Sequence, residues 1–137
     1  ICVDSSIVLK LGLNEPDSRA VAERWSEMSD HGWEMIAPSL LWYEVTATTR
    51  KLVHRGELSD EEAGRALARL LDAGVTVVAS DAMHRLALEI ATRLGHPTAY
   101  DAHYLALAET RGCEFWTADR SLYNDARTIG LEGTLAG

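Results

Sequence analysis

Short apolar runs alternating with helix-like stretches constrain this chain more than any other feature. The runs are Ile1–Val3, Glu34–Ala37, Val75–Ala79 and Cys113–Thr117, with Leu131–Leu135 as a weaker fifth. Each is too short for a helix, and a turn signal or an acidic residue closes most of them. Strands that are apolar throughout are buried on both faces, which happens when helices cover a parallel sheet. The stretches between them carry helical signals. Pro16 and Asp17 open a helix to about Ser29, with Val21, Ala22, Trp25 and Met28 at helical spacing. Ser39 is placed to cap a helix to about His54, stopped by Gly56. Ser59 and Glu62 form a capping-box pattern at the start of a helix ending at Gly74. Asp81–Leu94, Tyr100–Arg111 and a stretch from Asp119 to about Ile129 complete the set, and Ser5–Leu13 forms the first helix. The expected fold class is α/β: a central parallel sheet of four to five strands with helices on both faces.

With 137 residues the chain fits one domain, residues 1–137. A chain of this size buries about two-thirds of its unfolded surface and needs no metal or disulfide to fold. No apolar run reaches the roughly 18 residues of a membrane span. Asp4, Glu15 and Asp17 interrupt the start, so no signal peptide is expected, and Ile1 in first place suggests that a short N-terminal piece is missing. Cys2 and Cys113 are too few and too far apart for a disulfide scaffold or zinc site, so buried free thiols in a reducing cytoplasm are expected. Thirteen basic against twenty-one acidic residues give a net charge of −8, which argues against a protein that grips nucleic acid through a basic surface. It leaves open nucleic-acid chemistry mediated by bound cations.

Sites in open parallel sheets form at the carboxyl ends of strands, where strand order reverses. Asp4 directly follows the first strand and Asp119 lies two residues beyond Thr117. Each has a plain explanation as a helix cap, which contributes about 1 kcal/mol. Asp81 is expected to be a cap and nothing more. Glu44 has Leu40, Leu41, Ala47 and Thr48 as helical neighbours, so it points along an apolar stripe and needs a partner. Asp101 opens the Tyr100–Arg111 helix, where the dipole alone explains an acid. Two carboxylates about 4 Å apart repel by about 4 kcal/mol at an effective dielectric constant of about 20. Four converging on one rim would need a cation, and an oxygen-only donor set selects Mg2+ or Mn2+. His31, His54, His84, His96 and His103 lack zinc-like spacing and are expected to be surface or satisfied groups.

The chain resembles the PIN domain, and within it the VapC-type ribonuclease toxins of bacterial toxin–antitoxin pairs. The resemblance is carried by Val3-Asp4-Ser5-Ser6, Tyr43-Glu44-Val45, the run from Thr98 to Ala108 around Asp101, and Thr117-Ala118-Asp119-Arg120, in this order. It covers essentially the whole chain. It implies adjacent first and fourth strands, with Asp4, Glu44, Asp101 and Asp119 as catalytic and metal-binding residues. Ser6 and Thr117 match supporting hydroxyls beside the first and last of these acids. It further implies a Mg2+- or Mn2+-dependent endoribonuclease, a cognate antitoxin, often with an Arg among the carboxylates, and a homodimer. Arg50, Lys51 and Arg55 at one helix end, with Arg120 after Asp119, are candidates for an RNA rim. Asp125, about one and a half turns beyond Asp119, is expected to be a solvated helix acid. Trp25, Trp33 and Trp42 are candidate partner surfaces, with a core role favoured for Trp25. RNA specificity is expected in the loops Asn14–Asp17 and His96–Thr98.

Two other readings remain. A catalytically silent PIN fold would bind RNA or act as a scaffold, although all four acids are present. A metal-binding phosphoacceptor signalling domain would need an acidic pair after the first strand and a late-strand Lys. Here Ser5 and Ser6 follow Asp4, and neither Lys10 nor Lys51 is close to a late strand. Ser6 also breaks the Asp-x-Asp pattern of haloacid-dehalogenase-like phosphatases.

Overall fold

A computed structural model describes all residues, 1–137. Five parallel strands form one sheet in the order β3-β2-β1-β4-β5. They are β1 (Cys2–Val3), β2 (Ile36–Pro38), β3 (Thr76–Val78), β4 (Phe115–Thr117) and β5 (Gly133–Leu135). The helices are α1 (Ser5–Gly12), α2 (Ser18–Asp30), α3 (Leu40–His54), α4 (Asp60–Leu71), α5 (Asp81–Leu94), α6 (Ala102–Arg111) and α7 (Arg120–Thr128).

Strand order decides which helices share a face. From β1 the chain steps outward to β2 and β3, then crosses back to β4 and on to β5. Right-handed crossovers therefore put α1–α4 on one face and α5–α7 on the other. The packing agrees: α1 contacts α2, α3 and α4, α5 packs along α6, and α7 contacts β4 and β5. Order reverses between β1 and β4, so the expected crevice lies at the carboxyl ends of these two strands.

The three inner strands and α6 carry the core. Cys2, Val3, Phe115 and Trp116 are buried, as are Tyr104–Ala108 of α6. Trp25 is buried with its ring centroid 6.3 Å from that of Trp116, which gives it the core role expected of it. Trp33 is exposed.

Several local expectations change. Pro38 ends β2 instead of closing the strand from outside. Ile36 N–H donates to Ile1 O, just before β1, so by strand alternation Pro38 faces the same side. The pairing with β1 is already over there, so no ladder bond needs the missing N–H. Strand β3 is not buried on both faces, because it is an edge strand with Thr76 and Val77 exposed. Ser39 lies in helical conformation and makes no capping bond. Ser80, not Asp81, caps α5, its hydroxyl accepting from Met83 N–H. The Ser59–Glu62 capping box forms as expected. Helix α6 begins at Ala102, one position after Asp101. Cys2 is a buried free thiol and Cys113 a partly exposed one. No helix is long and apolar enough to cross a membrane.

Candidate active site

Asp4 is the most constrained acid in the molecule. Only 3% of its surface is exposed, directly beyond β1. Both carboxylate oxygens are held by hydroxyls. Ser6 Oγ donates to Oδ1 at 2.6 Å, and Thr117 Oγ1 donates to Oδ2 at 2.6 Å. Each hydroxyl is oriented in turn by the loop after β4: Ala118 N–H donates to Ser6 Oγ at 2.8 Å and Asp119 N–H to Thr117 Oγ1 at 2.9 Å. Ile7 N–H also reaches Oδ1, at 3.2 Å, so the capping role of Asp4 coexists with the cluster. Ser6 thus donates to the acid it was expected to support, whereas Thr117 donates to Asp4 and not to the Asp119 carboxylate.

The other acids are linked to this one through their charges, Asp119 acting on Asp4 and on Asp101, and Asp101 on Glu44. Asp119 caps α7 through Oδ1, which accepts from Ser121 and Leu122 N–H. Glu44 sits in the second turn of α3, partly buried, and accepts a hydrogen bond from Tyr104 OH on α6. This is the partner its apolar stripe required. Asp101 makes no capping bond. Asp125 is not a solvated acid: its Oδ2 lies 3.2 Å from His96 Nε2, and its charge acts on Asp101. His84 and His103 satisfy each other through a 2.9 Å ring-nitrogen contact.

Burial and neighbouring negative charge raise three of the four carboxylates. Burial pushes Asp4 from 3.8 up to about 6, against the hydroxyl and amide bonds that favour its charged form, and Asp119 adds to the rise. Burial also raises Glu44, with Asp101 adding to it while Tyr104 and Ser5 oppose. Partial burial raises Asp101, as do Asp119 and Asp125, while His96 opposes. Burial, followed by the charge of Glu44, raises the Tyr104 phenol and keeps it a donor.

No Lys or Arg forms an ion pair with any of the four. The donor set is oxygen only and anionic, which suits a hard divalent cation. The spacing in this structure is open: no three His, Cys, Asp or Glu side chains stand close enough around one point to hold an ion.

Two clefts flank the group. One of about 350 Å3 is lined by Ser6, Leu9, Lys10, Glu15, Ala118 and Asp119. Its lysine is occupied, with Nζ 2.6 Å from Pro16 O and 3.7 Å from Glu15. The other, of about 410 Å3, includes Tyr43, Glu44, Thr98, Tyr100 and Asp101. Each of the two loops marked for specificity thus lends a residue, Glu15 or Thr98, to a cleft. Arg50, Lys51 and Arg120 are exposed.

Sequence reasoning gave no role to Tyr104, Ser5 or Lys10. Tyr104 was within reach, standing three positions after Asp101 on the same helical face. Lys10 had no local signal, because only the return of the chain at β4 brings Ala118 and Asp119 to its cleft.

The fold agrees with known proteins. A model of the PIN domain family matches residues 1–127. A VapC ribonuclease of Mycobacterium bovis is 32% identical over 124 residues, covering 89% of this chain and 87% of that protein. Ribonuclease VapC9 of Mycobacterium tuberculosis matches to the same extent. Among solved structures, PAE2754 of Pyrobaculum aerophilum superposes with a TM-score of 0.70 at 24% identity, over 96% of this chain and 81% of the other. VapC20 of Mycobacterium tuberculosis, described as a toxin that cleaves the sarcin–ricin loop, gives 0.68 at 20% identity over 95% of both chains. At these identities the two structures speak for the fold. With the acid cluster at the β1/β4 switch point, these matches establish that the chain belongs to the PIN domain family, among its VapC-type members.

Proposed function

We propose that this chain is a Mg2+- or Mn2+-dependent endoribonuclease, the toxin of a toxin–antitoxin pair. The observation that carries this is the group of four carboxylates at the switch point, three of them raised chiefly by burial and none paired to a Lys or Arg. The ribonuclease relatives at 32% identity support it. When bound, the divalent ion supplies Lewis-acid chemistry: it neutralises charge at a phosphate and acidifies water.

The residues of this chain do the rest. Asp4, Glu44 and Asp101 would hold the ion, and Asp119 would either hold a second ion or orient the attacking water. Ser6 and Thr117 pin the Asp4 carboxylate, so its remaining lone pairs keep one direction. Tyr104 does the same for Glu44. Attack of water on phosphorus with cleavage of the P–O3′ bond would leave a 5′ phosphate and a 3′ hydroxyl and needs no 2′ hydroxyl. The partner that silences such a site is an antitoxin bearing an Arg among the carboxylates, replacing the ion's charge. A homodimer is the proposed assembly.

A PIN fold that binds RNA without cutting it has one observation in its favour, the absence of three acids within ligating distance of one point. One experiment separates the readings. Total RNA is incubated with purified protein in Mg2+, Mn2+ or EDTA, beside Asp101→Asn. Cutting that requires both the ion and Asp101 is the expected result. RNA binding without cutting in any ion would favour the silent fold.

A further inference from the structure

We propose that Tyr43 and Tyr100 form a platform on which unpaired RNA bases stack beside the carboxylate group. The proposal rests on the ribonuclease reading and extends it to how the substrate strand is held. Tyr43 is 74% exposed and Tyr100 is 63% exposed, although aromatic side chains of this size ordinarily bury most of their surface. Each is the chain neighbour of a site acid, Tyr43 of Glu44 and Tyr100 of Asp101.

Two clefts, of about 410 and 220 Å3, share these tyrosines and Leu40. The first also includes Glu44 and Asp101, so the aromatic surface runs directly into the acids. The second continues away from them, past His84 and His103. None of the other exposed large apolar side chains, Trp33, Leu71, Val77 or Leu88, lines either cleft.

Helix α3 connects the aromatic surface to charge. Ala47 and Arg50 follow Tyr43 at four and seven positions, on one exposed helical face. Neither Arg50 nor Lys51 forms an ion pair with a carboxylate. A single strand needs aromatic faces for its bases and cations for its phosphates. In a chain of net charge −8 the long-range field repels RNA, so stacking supplies attraction that charge does not. A second copy of the chain is the competing occupant. The cleft walls favour RNA over it, since Ser39 and Thr98 interrupt the apolar surface with hydrogen-bonding groups.

The test measures binding of a fluorescein-labelled single-stranded oligo(A) or oligo(U), with Ca2+ in place of Mg2+ or Mn2+ to hold cleavage off. Tyr43→Ala and Tyr100→Ala are each expected to weaken binding roughly 5- to 150-fold, the range for loss of one stacked base. Tyr43→Phe and Tyr100→Phe are expected to keep wild-type affinity, as is Trp33→Ala. A 2-aminopurine base in the strand is expected to be quenched by wild type and not by the alanine variants. Both tyrosines are exposed, so thermal unfolding is expected to match wild type. Undiminished binding by both alanine variants, with wild type cutting RNA in Mn2+, would overturn the platform and leave the ribonuclease reading standing. Failure of wild type either to bind or to cut RNA would overturn both. Light scattering that shows Tyr43→Ala dissociating a dimer, with RNA affinity unchanged, would assign the face to a second copy and overturn the proposal.

Discussion

Thr117 Oγ1 donates a 2.6 Å hydrogen bond to Asp4 Oδ2 across 113 positions of sequence. The bond ties the end of β4 to the end of β1 at the point where strand order reverses. It also opposes the burial that raises the Asp4 carboxyl. Thr117→Val removes the donor while keeping the shape. A hydrogen bond to a charged group is worth about 1.5–3 kcal/mol. The expected outcome is a loss of cleavage of roughly tenfold or more at neutral pH, with the acid limb of the pH–rate profile moved upward. Thr117→Ser should restore both. A pH profile of Thr117→Val identical to wild type would refute the positioning role.

Asp4 makes stability depend on pH in a definite direction. Its folded-state pKa of about 6 lies above the ordinary 3.8, so the folded protein holds the proton more tightly than the unfolded chain does. The favourable contribution is complete below about pH 4 and is lost as pH rises through about 6. One pKa unit is about 1.4 kcal/mol, so the loss amounts to about 3 kcal/mol. Urea unfolding in EDTA should show Asp4→Asn gaining by about this amount relative to wild type between pH 4 and pH 7.5. Equal pH dependence in the two proteins would contradict the burial argument.

Divalent ions should reverse that loss. A ligand at a hundred times its dissociation constant stabilises the folded state by about 2.7 kcal/mol. Wild type should melt at a higher temperature with added Mn2+ at pH 7.5. Glu44→Gln and Asp101→Asn should show a clearly smaller rise. Calorimetric titration with Mn2+ reads the same difference without any RNA. Equal Mn2+ responses in all three proteins would remove Glu44 and Asp101 from the ion site.

A fourth prediction concerns the scaffold alone. A Cβ added at Gly12 would lie 2.8 Å from Leu70 Cγ and Cδ2, and Leu70 is buried. Helices α1 and α4 touch closely there because position 12 has no side chain. Gly12→Ala should cost about 1–3 kcal/mol through overpacking, as measured by chemical denaturation. Gly12→Ala with Leu70→Ala should recover part of the close contact and cost less than the sum of the single changes.

Much of the architecture was legible in the chain because its signals are local. Apolar runs between capped helices required a parallel sheet, and strand ends placed Asp4 and Asp119 at its carboxyl edge. The Ser59–Glu62 box formed as written because all its partners lie within four residues. Local reasoning failed where partners are distant. Ser39 has a capping residue's chemistry and makes no capping bond. Asp125 looks solvated on its own helix, yet it meets His96 across the fold.

The sequence by itself determined the fold class and singled out four acids and two hydroxyls as candidates for a site, since each depends on residue type and near neighbours. Tertiary structure alone decided that Tyr104 anchors Glu44, that Lys10 enters the cleft of Asp119, and that Tyr43 and Tyr100 share one aromatic surface. Burial, and with it the raised carboxyl groups, also belongs to the assembled molecule. Desolvation depends on what the rest of the chain brings within a few ångströms, and no local stretch of sequence carries that information.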